Sequence, residues 1–103
     1  GIQRNLIKIL NYIIETKRED FDNIKTSQEN ERLFTRNNMF IVYIWLAHKL
    51  EKESDYREKI DSFLDFIENN QNLLKINITT KRGDKQFRKA LIKNMEEIWN
   101  KIF

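Results

Sequence analysis

Residues 39–50 read Met-Phe-Ile-Val-Tyr-Ile-Trp-Leu-Ala-His-Lys-Leu, and this stretch decides the fold. Met39 to Ala47 is apolar without a break, far short of the ~20 residues that cross a bilayer. The chain has no proline, and its only glycines are Gly1 and Gly83, so tight turns are scarce and helices are favoured over an all-β fold. A helix with no polar face lies at the centre of its fold or forms half of an oligomer interface. The stretch therefore predicts a central helix over 39–50, and its neighbours should be amphipathic helices that cover it.

Working outward, Ile2, Leu6, Ile9, Leu10 and Ile13 recur at the spacing of one helical stripe, with Arg4, Lys8, Asn11 and Glu15 off it. That predicts a first helix from Ile2 to Arg18. Residues 19–26 are acidic and irregular, with Phe21 and Ile24 as anchors. Thr26 with Glu29 has capping-box spacing. The segment from Ser27 is either one long helix or a short one with a break, and an asparagine at 37 or 38 suits a restart.

On the other side, Asp55 with Glu58 reads as a capping box for a helix buried along Tyr56, Ile60, Phe63, Leu64 and Ile67. Asn69 to Asn72 ends it. Leu74, Ile76 and Ile78 alternate as in a strand, but a lone strand has no partner, so residues 73–80 are expected to be an extended connection. Gly83 breaks the chain, and Asp84 caps a last helix with Phe87, Leu91, Met95 or Asn94, Ile98 and Ile102 facing inward. The expected fold is all-α, a single-domain bundle of four to five helices. The opening on Gly1 leads us to expect a domain, residues 1–103, taken from a larger protein.

Composition narrows the function. With no cysteine there are no disulfides and no thiolate metal sites, which fits a reducing compartment, and the expected location is the cytoplasm with no membrane partner. His48 is the only histidine, which excludes paired-histidine catalysis and a two-histidine helical zinc site. It is expected at the edge of the core. Asp61, Asp65 and Glu68 share a helix face, but like charges on one exposed face repel, so the expectation is a solvated surface rather than a cation site. No phosphate-cradling glycine loop or nucleophile elbow is present. Neither a cofactor nor a catalytic residue is expected, and enzyme activity is the least supported class.

One feature points to a partner. The net charge is +3, yet residues 75–103 hold eight bases against three acids, while residues 19–74 hold seven against twelve. The surplus centres on Lys81 to Lys93, read KRGDKQFRKALIK. Lys81, Arg82, Lys85, Arg88, Lys89 and Lys93 are candidate contacts to nucleic-acid phosphates, since cations around a helix start suit an anion. Such contacts hold the backbone without reading bases, and Gln86 is the one amide nearby. The same cations also suit a plain solvated face or an acidic protein partner.

Arg82, Gly83, Phe87, Arg88, Leu91 and Ile92 form the pattern Arg-Gly-x-x-x-Phe-Arg-x-x-Leu-Ile. It resembles the lead-in helix of prokaryotic restriction-like HNH endonucleases, Arg-Gly-Gln-x-x-Phe-Arg-x-x-Leu-Leu, which a Cys-x-x-Thr-Gly turn soon follows. The likeness is confined to residues 82–95. Asp84 stands where glutamine is usual, Met95 where tyrosine is common, and Trp99 near the cysteine position; the histidine-bearing hairpin and helix do not follow. The resemblance implies an accessory helical domain of a DNA-processing or defence protein, without the cutting centre. The alternative is a protein-interaction or homodimerisation domain that uses the apolar 39–47 helix.

Overall fold

The apolar run is a helix. A computed structural model describes residues 2–22, 34, 38–75 and 84–103, and there the chain is all-α. It contains α1 (Ile2–Thr16), α2 (Arg18–Asp22), α3 (Met39–Lys49), α4 (Tyr56–Asn69) and α5 (Lys85–Ile102). No strand occurs among the described residues. The helices fall into two compact units, Gly1–Lys52 and Glu53–Phe103.

In the first unit α1 packs against α3. Asn5, near the start of α1, donates its side-chain amide to the carbonyl of Ala47 near the end of α3. At the other end Lys17 holds its ammonium 4.7 Å from the Phe34 ring centroid. The two helices therefore run antiparallel. Ile9 and Ile13 are fully buried and Asn5 nearly so, while Leu6 and Leu10 are half-buried. The contact row of α1 is thus 5-9-13, and the polar Asn5 takes part because it supplies a donor to one of the last carbonyls of α3, which have no partner within their own helix.

The expected irregular acidic segment is corrected at its start. After a turn at Lys17 the chain re-enters a helix, α2, with Glu19 and Asp20 in its first turn, where negative charge favours the positive end of the helix dipole. Phe21 is half-buried. Ile24, the Thr26–Glu29 box and the segment from Ser27 to Leu33 lie outside the described residues. Phe34 is fully buried, and its carbonyl accepts the Tyr43 hydroxyl. Burial first, and the charge of Asp20 second, push the Tyr43 phenol well above its ordinary range, so it stays protonated.

Asn38 does begin α3, but not by side-chain capping. Its backbone is already helical (φ −69°, ψ −18°), it makes no side-chain cap bond, and its carbonyl accepts from Ile41 N–H at 3.2 Å. Met39, Val42, Tyr43, Trp45, Leu46 and Ala47 are buried. The helix is not buried all round, however. Phe40 (39% exposed), Ile44 (46% exposed) and His48, spaced four apart, form one outward row.

In the second unit, the five residues expected to be buried on α4 (Tyr56, Ile60, Phe63, Leu64 and Ile67) are all buried. The Asp55 box does not form: Asp55 has φ −95° and ψ 31°, outside the extended geometry of a capping residue, and no side-chain cap bond. Its carboxylate faces Lys59 instead, at 3.8 Å. Residues 71–73 make a single 3₁₀ turn and Leu74 is extended; Ile76 and Ile78 lie outside the described residues. Trp99 of α5 lies 5.6 Å from Phe63 of α4, ring centroid to centroid, and 4.4 Å from Phe103, both rings tilted against it. Trp99 is buried, whereas Ile102, expected in the core, is only half-buried.

Asn94 joins the turn to α5. It is 3% exposed, accepts the Lys75 backbone N–H at 2.8 Å and donates to the Leu73 carbonyl at 3.1 Å. One amide thereby satisfies the main-chain groups on either side of Leu74, as a neighbouring strand would. Asn94→Leu keeps the branched shape but makes neither hydrogen bond, and should cost about 1–3 kcal/mol in urea unfolding. A loss no larger than the ~0.5 kcal/mol of an ordinary surface change would contradict this role.

Candidate nucleic-acid interface

The face that α5 shows to solvent follows from the face it buries. Phe87, Leu91, Asn94, Met95, Ile98 and Trp99 are buried and set the rotation of the helix. Lys85, Lys89 and Lys93, spaced four apart, then share the opposite side and are all exposed. They span two turns, about 12 Å of helix. Arg88 and Gln86 are exposed in the first turns beside them. Among the described residues, Lys85, Arg88 and Lys89 take part in no ion pair. Lys81 and Arg82 lie outside the described residues, as does Gly83.

The helix start is less open to an anion than the sequence suggested. Asp84 has an extended backbone (φ −70°, ψ 165°), and its carboxylate accepts the Phe87 N–H at 3.3 Å. This is the expected cap, and it places a negative charge where the helix dipole would otherwise attract phosphate. The cationic surface therefore lies along the Lys85–Lys89–Lys93 row rather than over the terminus.

Toward the other end an acid interrupts the row. Lys75 Nζ donates to Glu97 Oε2 at 2.6 Å. That hydrogen bond, the charge of Lys75, and then Lys93 and Lys101, hold the Glu97 carboxyl below its ordinary value of 4.5. Glu97 sits four residues after Lys93 and four before Lys101, a spacing visible in the sequence. Its bond to Lys75 was not visible, because it depends on where the chain leaves the turn that follows α4.

The remaining candidates do not assemble into a reactive centre. His48 is exposed at the end of the outward row of α3. Asp61 is half-buried and Asp65 and Glu68 are exposed. Among the described residues no group of three or more His, Asp or Glu is placed to hold a metal ion. No helix among them is long and apolar enough to cross a membrane. Phe87 and Leu91, two positions of the HNH-like pattern, are core residues, so packing alone accounts for them. Comparison with family models, curated proteins and solved structures finds no match to this chain.

A native carboxyl with a depressed pKa adds stability that is present above the unfolded value and is lost as pH falls through the folded one. Glu97 should therefore titrate below 4.5 by side-chain carboxyl NMR, and Lys75→Met should move its midpoint up toward 4.5. An unchanged midpoint in that variant would show that the ion pair does not persist in solution.

Proposed function

We propose that this chain is a non-catalytic helical module that contacts nucleic-acid phosphates through α5, serving as an accessory domain in a DNA-processing or defence protein of the cytoplasm. The observation that carries this reading is the exposed Lys85–Lys89–Lys93 row with Arg88 beside it, turned outward by the core packing of the same helix. Lysine ammoniums on flexible stems act as point charges toward phosphate oxygens and carry no base information. Binding through three or four of them is weak, sequence-tolerant and salt-sensitive. The resemblance of residues 82–95 to an HNH lead-in helix supports a DNA context, and the lack of a second histidine keeps the chemistry of cutting elsewhere.

The reading makes a two-sided prediction about charge. Reversing Lys85, Lys89 and Lys93 to glutamate should abolish retention of duplex DNA in an electrophoretic shift assay, with the helical circular dichroism unchanged. Asp84→Asn keeps an oxygen to cap the helix but removes the negative charge, and should tighten binding severalfold. Unchanged retention in the triple reversal would sink the proposal.

A second reading rests on its own observation. Phe40 and Ile44 are large, apolar and exposed on the outward row of α3, with Ile7 and Ile14 exposed on α1. Such residues suit a protein partner or a second copy of the chain. Under this reading, sedimentation gives a mass above that of one chain at high concentration, and Phe40→Glu with Ile44→Glu returns it to one. A wild-type monomer at millimolar concentration removes the support for self-association.

A further inference from the structure

The exposed apolar residues of the first unit form one patch rather than two. On α1, Ile7, Leu10 and Ile14 alternate spacings of three and four, which keeps them on one side of the helix, beside the contact row 5-9-13. Leu10 is half-buried and the two isoleucines are exposed. Viewed from the start of α1, a right-handed helix turns clockwise along α1 and anticlockwise along the antiparallel α3. Leu10 and Ile14, next in angle beyond the contact row of α1, therefore lie on the same flank as Phe40 and Ile44, next beyond Tyr43 and Ala47 on α3. The Asn5 bond sets Asn5 level with Ala47. At about 1.5 Å of rise per residue in both helices, Ile44 falls level with the stretch between Ile7 and Leu10, and Phe40 with that between Leu10 and Ile14.

Two features say what covers this patch. Its side chains pair about Leu10: Ile7 and Ile14 stand on either side of it along α1, and Ile44 and Phe40 on either side of its level. A patch with that symmetry matches a copy of itself turned by 180°, as an isologous contact requires. The ends of the helix pair also differ in charge. At the start of α1, Arg4, Lys8 and Lys52 outnumber Glu51. Toward the far end, Glu15, Glu19 and Asp20 outnumber Lys17 and Arg18 among the described residues. An antiparallel copy brings unlike ends together, whereas a parallel copy sets like on like. Ile7, at 59% exposed, stands out further than Phe40 or Ile44, which places the seam on α1 rather than on α3.

We infer that a second copy of the chain covers this patch, with α1 against α1 in antiparallel register. Leu10 lies at the two-fold axis, and Ile7 of each copy seats between Ile14 and Phe40 of the other. The inference rests on the self-association reading above and names its seam and its direction. A handful of side chains from each copy is far fewer than the ~20–30 residues a side of a standard interface, so the dimer is weak and forms at high concentration.

The chain has no cysteine, so introduced thiols report the seam without interference. The test oxidises Ile7→Cys, Ile14→Cys and their equal mixture at near-millimolar concentration, after sedimentation of the unmodified chain. Both positions are exposed, and helical circular dichroism checks the fold. A disulfide needs Cα atoms within about 7 Å. We expect the mixture to cross-link position 7 to position 14 about tenfold or more faster than either variant cross-links to itself, because the seam holds those thiols at raised effective concentration. Ile7→Glu should raise the dimer dissociation constant by about tenfold or more. Faster cross-linking of each variant to itself indicates a parallel seam and overturns the inference while self-association stands. A dimer in sedimentation with no preferred cross-link, or one that Ile7→Glu leaves intact, does the same. A monomer at that concentration overturns the inference and the reading beneath it together.

Discussion

Burial of Phe87, Leu91, Met95 and Ile98 along one side of α5 fixes the rotation of that helix, and with it what the second unit presents to solvent. A helix turns 100° per residue, so a row buried at spacings of three and four leaves the positions between them no choice of direction. Lys85, Lys89 and Lys93 are outward for that reason. Asn94 lies on the buried side and holds Leu73 and Lys75 through its two hydrogen bonds, while Glu97, half-buried, reaches the Lys75 side chain. The same packing thus orders the core and sets out the charge.

The first unit follows an analogous constraint with a different outcome. The apolar run of α3 has more hydrophobic surface than its packing consumes, so the surplus emerges as Phe40 and Ile44. Asn5 adds a polar element to the α1–α3 contact: it completes a helix-end carbonyl but leaves its own oxygen without a partner. A leucine at that position would pack without leaving an unmade acceptor, yet it would leave the Ala47 carbonyl with one donor fewer.

Periodicity made most of the fold readable in advance. The α4 row from Tyr56 to Ile67 and the α5 row from Phe87 to Ile98 are long and regular, and each was visible because burial repeats with the helical turn. Capping was less readable, since a cap needs backbone angles that the residue type does not determine. Asp84 has them and caps; Asp55 does not, and turns to Lys59. The outward direction of the α5 lysines is legible from the stripe, whereas the charge that Asp84 sets at the helix start disfavours an anion there. The Asn5 contact and the Asn94 clamp join residues distant in sequence. No single-helix pattern encodes them.

Whether the lysine row of α5 grips phosphate is tested most directly by the salt dependence of duplex DNA binding to the unmodified chain. Three or four phosphate contacts predict that log Kobs falls with log salt at a slope of about −2.7 to −3.6, alike for unrelated sequences. A flat salt dependence, or no binding even at ~20 mM salt, where electrostatic binding is strongest, would contradict the account.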